Sequence, residues 1–167
     1  HTGTNDGSVY IAWSKPTDLD TIQYPGPYKY HILRSDGFYG NNLTLVDSLY
    51  GLNDTIWIDT LLNTKDLSYS YRIDLIHYNQ NNFSWIGSSQ LASSIFLSIE
   101  PQDNKLLLSW NVNAPWENNY YDVYKYNPLT SNFDSIVRVT TPHFLDINLI
   151  NGNEYCYKIK SIGEYSA

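Results

Sequence analysis

The sequence has 167 residues, a formal net charge of -7 and only 16% charged residues, so it offers no basic patch able to neutralise a run of phosphates, and nucleic acid and anionic membrane are poor partners. Its 16 tyrosines and five tryptophans, with no methionine and 42% hydrophobic residues, suit pleated sheets rather than helices. Cys156 is the sole cysteine, which excludes an internal disulfide, a CxxC pair and a Cys/His zinc constellation.

The first predicted strand covers residues 8–13, where Val9, Ile11 and Trp13 alternate with Tyr10 and Ala12. Lys15-Pro16 ends it, and a polar stretch containing Pro25-Gly26-Pro27 leads into the next strand, 28–35. Further strands are expected at 43–49, 55–58, 67–78 and 83–91. The same grammar restarts near Ser93, with strands at 95–99, 105–110, 120–126, 133–137, 143–145 and 154–162. No segment shows an apolar i, i+3, i+4, i+7 face between caps, so little regular helix is expected, and no run of about 18 apolar residues exists to insert into a membrane. The start at His1 reads as neither an initiator Met nor a signal peptide, as in an internal piece of a longer chain.

The two halves repeat one another. Val9-Tyr10-Ile11-Ala12-Trp13 parallels Leu106-Leu107-Leu108-Ser109-Trp110, and Tyr30-His31-Ile32-Leu33-Arg34 parallels Tyr121-Asp122-Val123-Tyr124-Lys125. Ile58-Asp59 and Leu145-Asp146 then precede Tyr69-Ser70-Tyr71-Arg72-Ile73 and Tyr155-Cys156-Tyr157-Lys158-Ile159, with one residue more in the first half. The expected division is therefore residues 1–92 and 93–167.

A strand ending in Trp, then Tyr-x-(Ile/Val)-x-(Arg/Lys), then Tyr-x-Tyr-(Arg/Lys)-Ile resembles the B, C and F strands of fibronectin type III domains. The resemblance implies an all-β chain of two tandem antiparallel immunoglobulin-like sandwiches. It gives Trp13 and Trp110 the core position between the sheets, and Tyr69 and Tyr155 a tyrosine corner, the hydroxyl returning to upstream backbone. Leu149 stands where the family has the corner's leucine; in the first half Leu61 and Leu62 both qualify. The first module is read as lacking a clear A strand and the second as lacking a G strand, so flanking domains of the parent protein or a partner are expected to complete them.

The phrase Asn151-Gly152-Asn153-Glu154-Tyr155-Cys156-Tyr157-Lys158-Ile159-Lys160-Ser161-Ile162-Gly163 resembles modules of large surface proteins of gliding bacteria, upstream of gliding-motility-associated (type B) sorting domains. That resemblance implies export by type IX secretion, a secreted or cell-surface location, adhesion, and contact with secretion or outer-membrane proteins. Asp-(Ser/Thr)-apolar triplets, similar to the O-glycosylation acceptor of such bacteria, mark Thr21, Ser48, Thr55, Thr60 and Ser135.

No catalytic site, cofactor or metal is expected. His1, His31, His77 and His143 lack metal spacing, no nucleophile-elbow motif accompanies the serines, and Asp18 and Asp20 lack the ordered ligand series of an EF-hand. Candidates for binding are aromatics off the core pattern, Tyr24, Tyr28, Tyr39, Trp116 and Tyr120, as a platform for sugar rings or a protein, with Trp116, after Pro115, the foremost. Packing is the competing reading of these rings, since sandwich loops fold aromatics back over open ends. Cys156, between two tyrosines expected to point inward, is expected to face outward. The sequence is thus read as non-catalytic spacer and interaction modules of a secreted protein; the alternative is glycan- or protein-binding modules accessory to an extracellular hydrolase.

Overall fold

A computed structural model describes residues 7–79, 82–115 and 117–164. The chain divides into two units, His1–Ser94 and Ile95–Ala167. The first holds β1 (Gly7–Ala12), β2 (Tyr28–Asp36), β3 (Thr44–Tyr50), β4 (Ile56–Leu62), β5 (Tyr69–Asn79), β6 (Asn82–Ser88) and β7 (Ala92–Ser93). β1 pairs with β4 in one sheet; the other has the order β3-β2-β5-β6, with β7 also on β5. The second unit holds β8 (Phe96–Gln102), β9 (Lys105–Asn111), β10 (Glu117–Asn127), β11 (Asn132–Val139), β12 (His143–Ile147) and β13 (Tyr157–Glu164). Its sheets run β12-β9-β8 and β11-β10-β13. Every pairing is antiparallel.

Strand alternation decides which residues meet between the sheets. In the first unit Tyr30, Ile32, Tyr69, Tyr71, Ile73 and Leu75 are buried, with Val9, Ile11 and Trp13 packed on them from the opposite sheet. In the second, Leu108, Trp110, Tyr121 and Val123 form the core. Trp13 meets Tyr30 edge-on at 5.3 Å and Trp110 meets Tyr121 at 5.3 Å, so the repeated residues make the same contact in each unit. Both indole N–H groups are buried without a hydrogen-bond partner.

The corner tyrosines close their loops alike. Asn63 N donates to the Tyr69 hydroxyl at 3.1 Å and Ile150 N to the Tyr155 hydroxyl at 2.9 Å. Leu62 and Leu149 are buried beside them, at 4% and 8% exposure, whereas Leu61 is 76% exposed. Leu62 is thus the first unit's counterpart of Leu149, and the additional residue lies after Asn63. Leu61 and Asn148, each just before the corner leucine, both have positive φ, 60° and 61°. Asparagine tolerates this left-handed backbone and leucine does not. Leu61→Asn is therefore expected to stabilise the first unit by about 0.5–1 kcal/mol, read as a higher urea midpoint with unchanged slope.

The structure corrects three expectations. The strand expected at 83–91 ends at Ser88 as β6, where Ser89 Oγ accepts from Ile73 N at 3.0 Å in place of a ladder carbonyl, and β7 begins beyond it at Ala92. Residues 154–156 lie outside any strand, and β13 begins at Tyr157. The division falls after Ser94 rather than residue 92, since β7 pairs with β5 and Ser94 N donates to Tyr69 O at 2.8 Å.

Candidate functional site

Inside each sandwich one carboxylate ties the two sheets together. Asp59 of β4, 6% exposed, accepts on one oxygen from Arg34 Nη1 of β2 at 2.9 Å and from the Tyr71 hydroxyl of β5 at 2.9 Å. In the second unit Asp146 of β12 accepts on one oxygen from Lys125 Nζ of β10 at 2.9 Å and from the Tyr157 hydroxyl of β13 at 2.7 Å. Burial, reinforced by the adjacent carboxylate, pushes the Tyr71 and Tyr157 phenols well above their ordinary range. The bonds are satisfied and inward, so this cluster is a lock between sheets rather than a place to bind.

The outward face of the larger sheet of the first unit is different. Register places Tyr50 of β3 beside Lys29 of β2, Lys29 beside Ile76 of β5, Ile76 beside Trp85 of β6, and Tyr78 beside Phe83. These residues form a row across four strands. Tyr50, Phe83 and Trp85 are 60%, 65% and 62% exposed. Tyr50 and Tyr78 meet edge-on at 5.8 Å, and Lys29 Nζ sits 4.3 Å from the Phe83 ring centre. The Trp85 indole N–H donates to Ser88 Oγ at 3.1 Å. Rigid strands thus hold three large aromatic surfaces in water, with a cation among them. Such a surface binds by burying apolar area at little entropic cost, because the rings are already ordered.

No protein-family model matches this sequence, and no curated protein matches it. Among solved structures, a two fibronectin type III domain segment from chicken tenascin is similar over 97% of this chain and 87% of that one, at 14% identity and a TM-score of 0.34. The architecture here stands on the strand order and pairing described above.

The residues singled out in the sequence do not form one platform. Tyr28 opens β2 and packs against the core, and its hydroxyl donates to the backbone carbonyl of Tyr24, so the Tyr28 ring belongs to the folding of the loop before β2 rather than to an open surface. Tyr24 is half-buried. Tyr120 lies on β10, in the second unit, with the Arg138 guanidinium 4.0 Å over its ring, and Arg138 is held by paired bonds of 2.6 and 3.0 Å to Asp122. Trp116 lies outside the described residues. Tyr39 is 78% exposed but only edges onto Phe38. Among the glycosylation candidates Thr21, Thr60 and Ser135 are exposed, and Ser48 and Thr55 are half-buried. Asp20 Oδ1 accepts from Ile22 N and Gln23 N, each at 2.9 Å, which makes it a turn former. Among the described residues no group of three His, Cys, Asp or Glu side chains is placed to hold a metal ion. Cys156 is exposed.

The row was missed because Tyr50, Tyr78, Phe83 and Trp85 sit in or beside strands assigned to the sandwich. Its signal was nonetheless present: aromatics on the phase of an alternating strand that should be polar.

Proposed function

We propose that this chain supplies non-catalytic spacer and interaction modules to a secreted or cell-surface protein, and that the aromatic row of Tyr50, Phe83 and Trp85 is its recognition face for a protein partner. The observation that carries this is the exposure of three large aromatics on ordered strands around Lys29. The resemblance of residues 151–163 to modules of gliding-bacterial surface proteins supports the finer reading: an adhesion or gliding-motility role, with export by type IX secretion and O-glycans on exposed sites such as Thr21, Thr60 and Ser135. The accessory reading, in which the same rings stack on the sugars of a hydrolase's substrate, is distinguished by the same assay.

Immobilised wild-type chain and a Phe83→Thr/Trp85→Thr variant are exposed to the outer-membrane and secreted fractions of the source and, separately, to insoluble polysaccharides. The proposal expects a protein retained by wild type and lost by at least tenfold in the folded variant, since two buried aromatic anchors are worth about 2 kcal/mol or more. Retention on polysaccharide alone favours the accessory reading. Equal retention by both chains removes the row from recognition.

A further inference from the structure

Register sets the outward face of the first unit's larger sheet in rows. One row runs Tyr50, Lys29, Ile76 and Trp85 across β3, β2, β5 and β6, and the next runs Ser48, His31, Asp74 and Ser88 over the same strands. The most exposed rings therefore stand on the flanking strands, Tyr50 on β3 and Phe83 and Trp85 on β6. The middle strands carry the charge. Lys29 and His31 are half-buried on β2, and on β5 the Asp74 carboxylate is held by paired bonds of 2.8 and 2.9 Å from Arg72.

A twofold axis lying between two such faces and parallel to β2 and β5 exchanges β3 with β6 and β2 with β5. Tyr50 of each copy then lies on Trp85 of the other, Lys29 over Ile76, and His31 over Asp74. Arg72, already bonded to Asp74, falls over Leu33, its register neighbour. Rings meet at both flanks, and the strand with Lys29 and His31 meets the one with Asp74, so the face is complementary to itself. The area agrees. Tyr50, Phe83 and Trp85 are each more than half exposed, so the three rings bare roughly 400 Å² per copy. Exposed Leu45 and half-buried Leu33 and Tyr78 extend the same face. Two such faces together offer about 1,200 Å², the lower limit of a specific interface.

We propose that the partner of the aromatic row is a second copy of this chain, seated face to face on it about that axis; this rests on the reading of the row as a recognition face. The dimer is reversible. An interface of this size between chains that each carry a net charge of -7 dissociates at about 10–100 μM, so the chain is monomeric at low micromolar concentration.

Sedimentation equilibrium of the full chain between about 1 and 500 μM tests this. Wild type should pass from monomer to dimer over that range. Tyr50→Lys and Trp85→Glu, each with a wild-type-like amide NMR spectrum, should move the transition to a concentration about tenfold higher or more, because each alters both ring contacts of the symmetric pair. Mixing the two variants in equal amounts should restore the dimer. In the mixed pair one Tyr50–Trp85 contact is whole, and the introduced lysine and glutamate face one another. Wild type monomeric at the highest concentration, variants that dimerise like wild type, or a mixture no stronger than its components each overturn the proposal. The capture experiment separates the two readings. A monomeric wild type that retains a different protein through Phe83 and Trp85 overturns the dimer and leaves the row a recognition face, whereas a monomeric wild type that retains nothing removes both.

Discussion

Trp110→Ala is expected to destabilise the second unit by about 3–5 kcal/mol, enough to leave a domain of this size largely unfolded under mild denaturant. The indole is 4% exposed, meets Tyr121 at 5.3 Å, and joins Leu108 and Val123 in the cluster between the sheets. Truncation removes that buried area and leaves a cavity that strands on both sides cannot collapse to fill. Trp110→Phe should recover most of the loss. Its ring keeps much of the contact, and deleting a buried N–H that has no partner relieves a desolvation cost of about 1–3 kcal/mol. Native-state hydrogen exchange at Leu108 and Val123 reads both variants; equal loss in the two would show that the indole N–H is satisfied in solution.

Asp59→Ala is expected to cost the first unit about 3 kcal/mol. It strands the Tyr71 hydroxyl and the Arg34 guanidinium at once, the lower end of the range applying because the Arg34 side chain is 28% exposed and partly hydrated. The same cluster sets an alkaline limit. The Tyr71 phenol, ordinarily titrating near 10.0, is held protonated to a higher pH when folded, by burial first and by Asp59 second. Above pH 10 the unfolded chain therefore binds fewer protons than the folded one. The associated stability is complete below the unfolded value and is lost as pH rises above it towards the folded one. Urea unfolding between pH 9 and about 11 should show this decline, and Tyr71→Phe should reduce it for the first unit, where the buried Tyr30 phenol is also raised, while leaving the contribution of Tyr157 in the second.

Local periodicity made the strands legible. Val9, Ile11 and Trp13 alternate with exposed Tyr10 and Ala12, and in the equivalent run buried Leu108 and Trp110 alternate with half-buried Leu107 and Ser109, so the inward face followed from residue order. Resemblance to fibronectin type III domains, rather than periodicity, singled out Tyr69 and Tyr155, whose hydroxyls accept from the backbone N–H groups of Asn63 and Ile150 a few residues upstream. The inter-sheet lock was not legible: Asp59 meets Arg34 and Tyr71 only after strands from opposite sheets are stacked, a relation no spacing encodes. A faint signal existed in carboxylates at equivalent places in both halves. The aromatic row was hidden in a similar way, because Tyr50, Tyr78, Phe83 and Trp85 come from three strands that only sheet order brings side by side. Tyr24 and Tyr28 drew attention instead, and the structure packs Tyr28 against the core with its hydroxyl on the Tyr24 backbone carbonyl.

The central claim, that the aromatic row exists for recognition and not for folding, is tested most directly by urea unfolding of Phe83→Thr/Trp85→Thr. Threonine keeps the β preference of both positions, so the loss is confined to the two rings with the Lys29–Phe83 contact and the Trp85–Ser88 bond. A loss of no more than about 1 kcal/mol of stability, with unchanged slope, is the expected result, as for rings that are mostly exposed. A loss of about 2 kcal/mol or more would show that the rings are part of the packing, and would contradict the account.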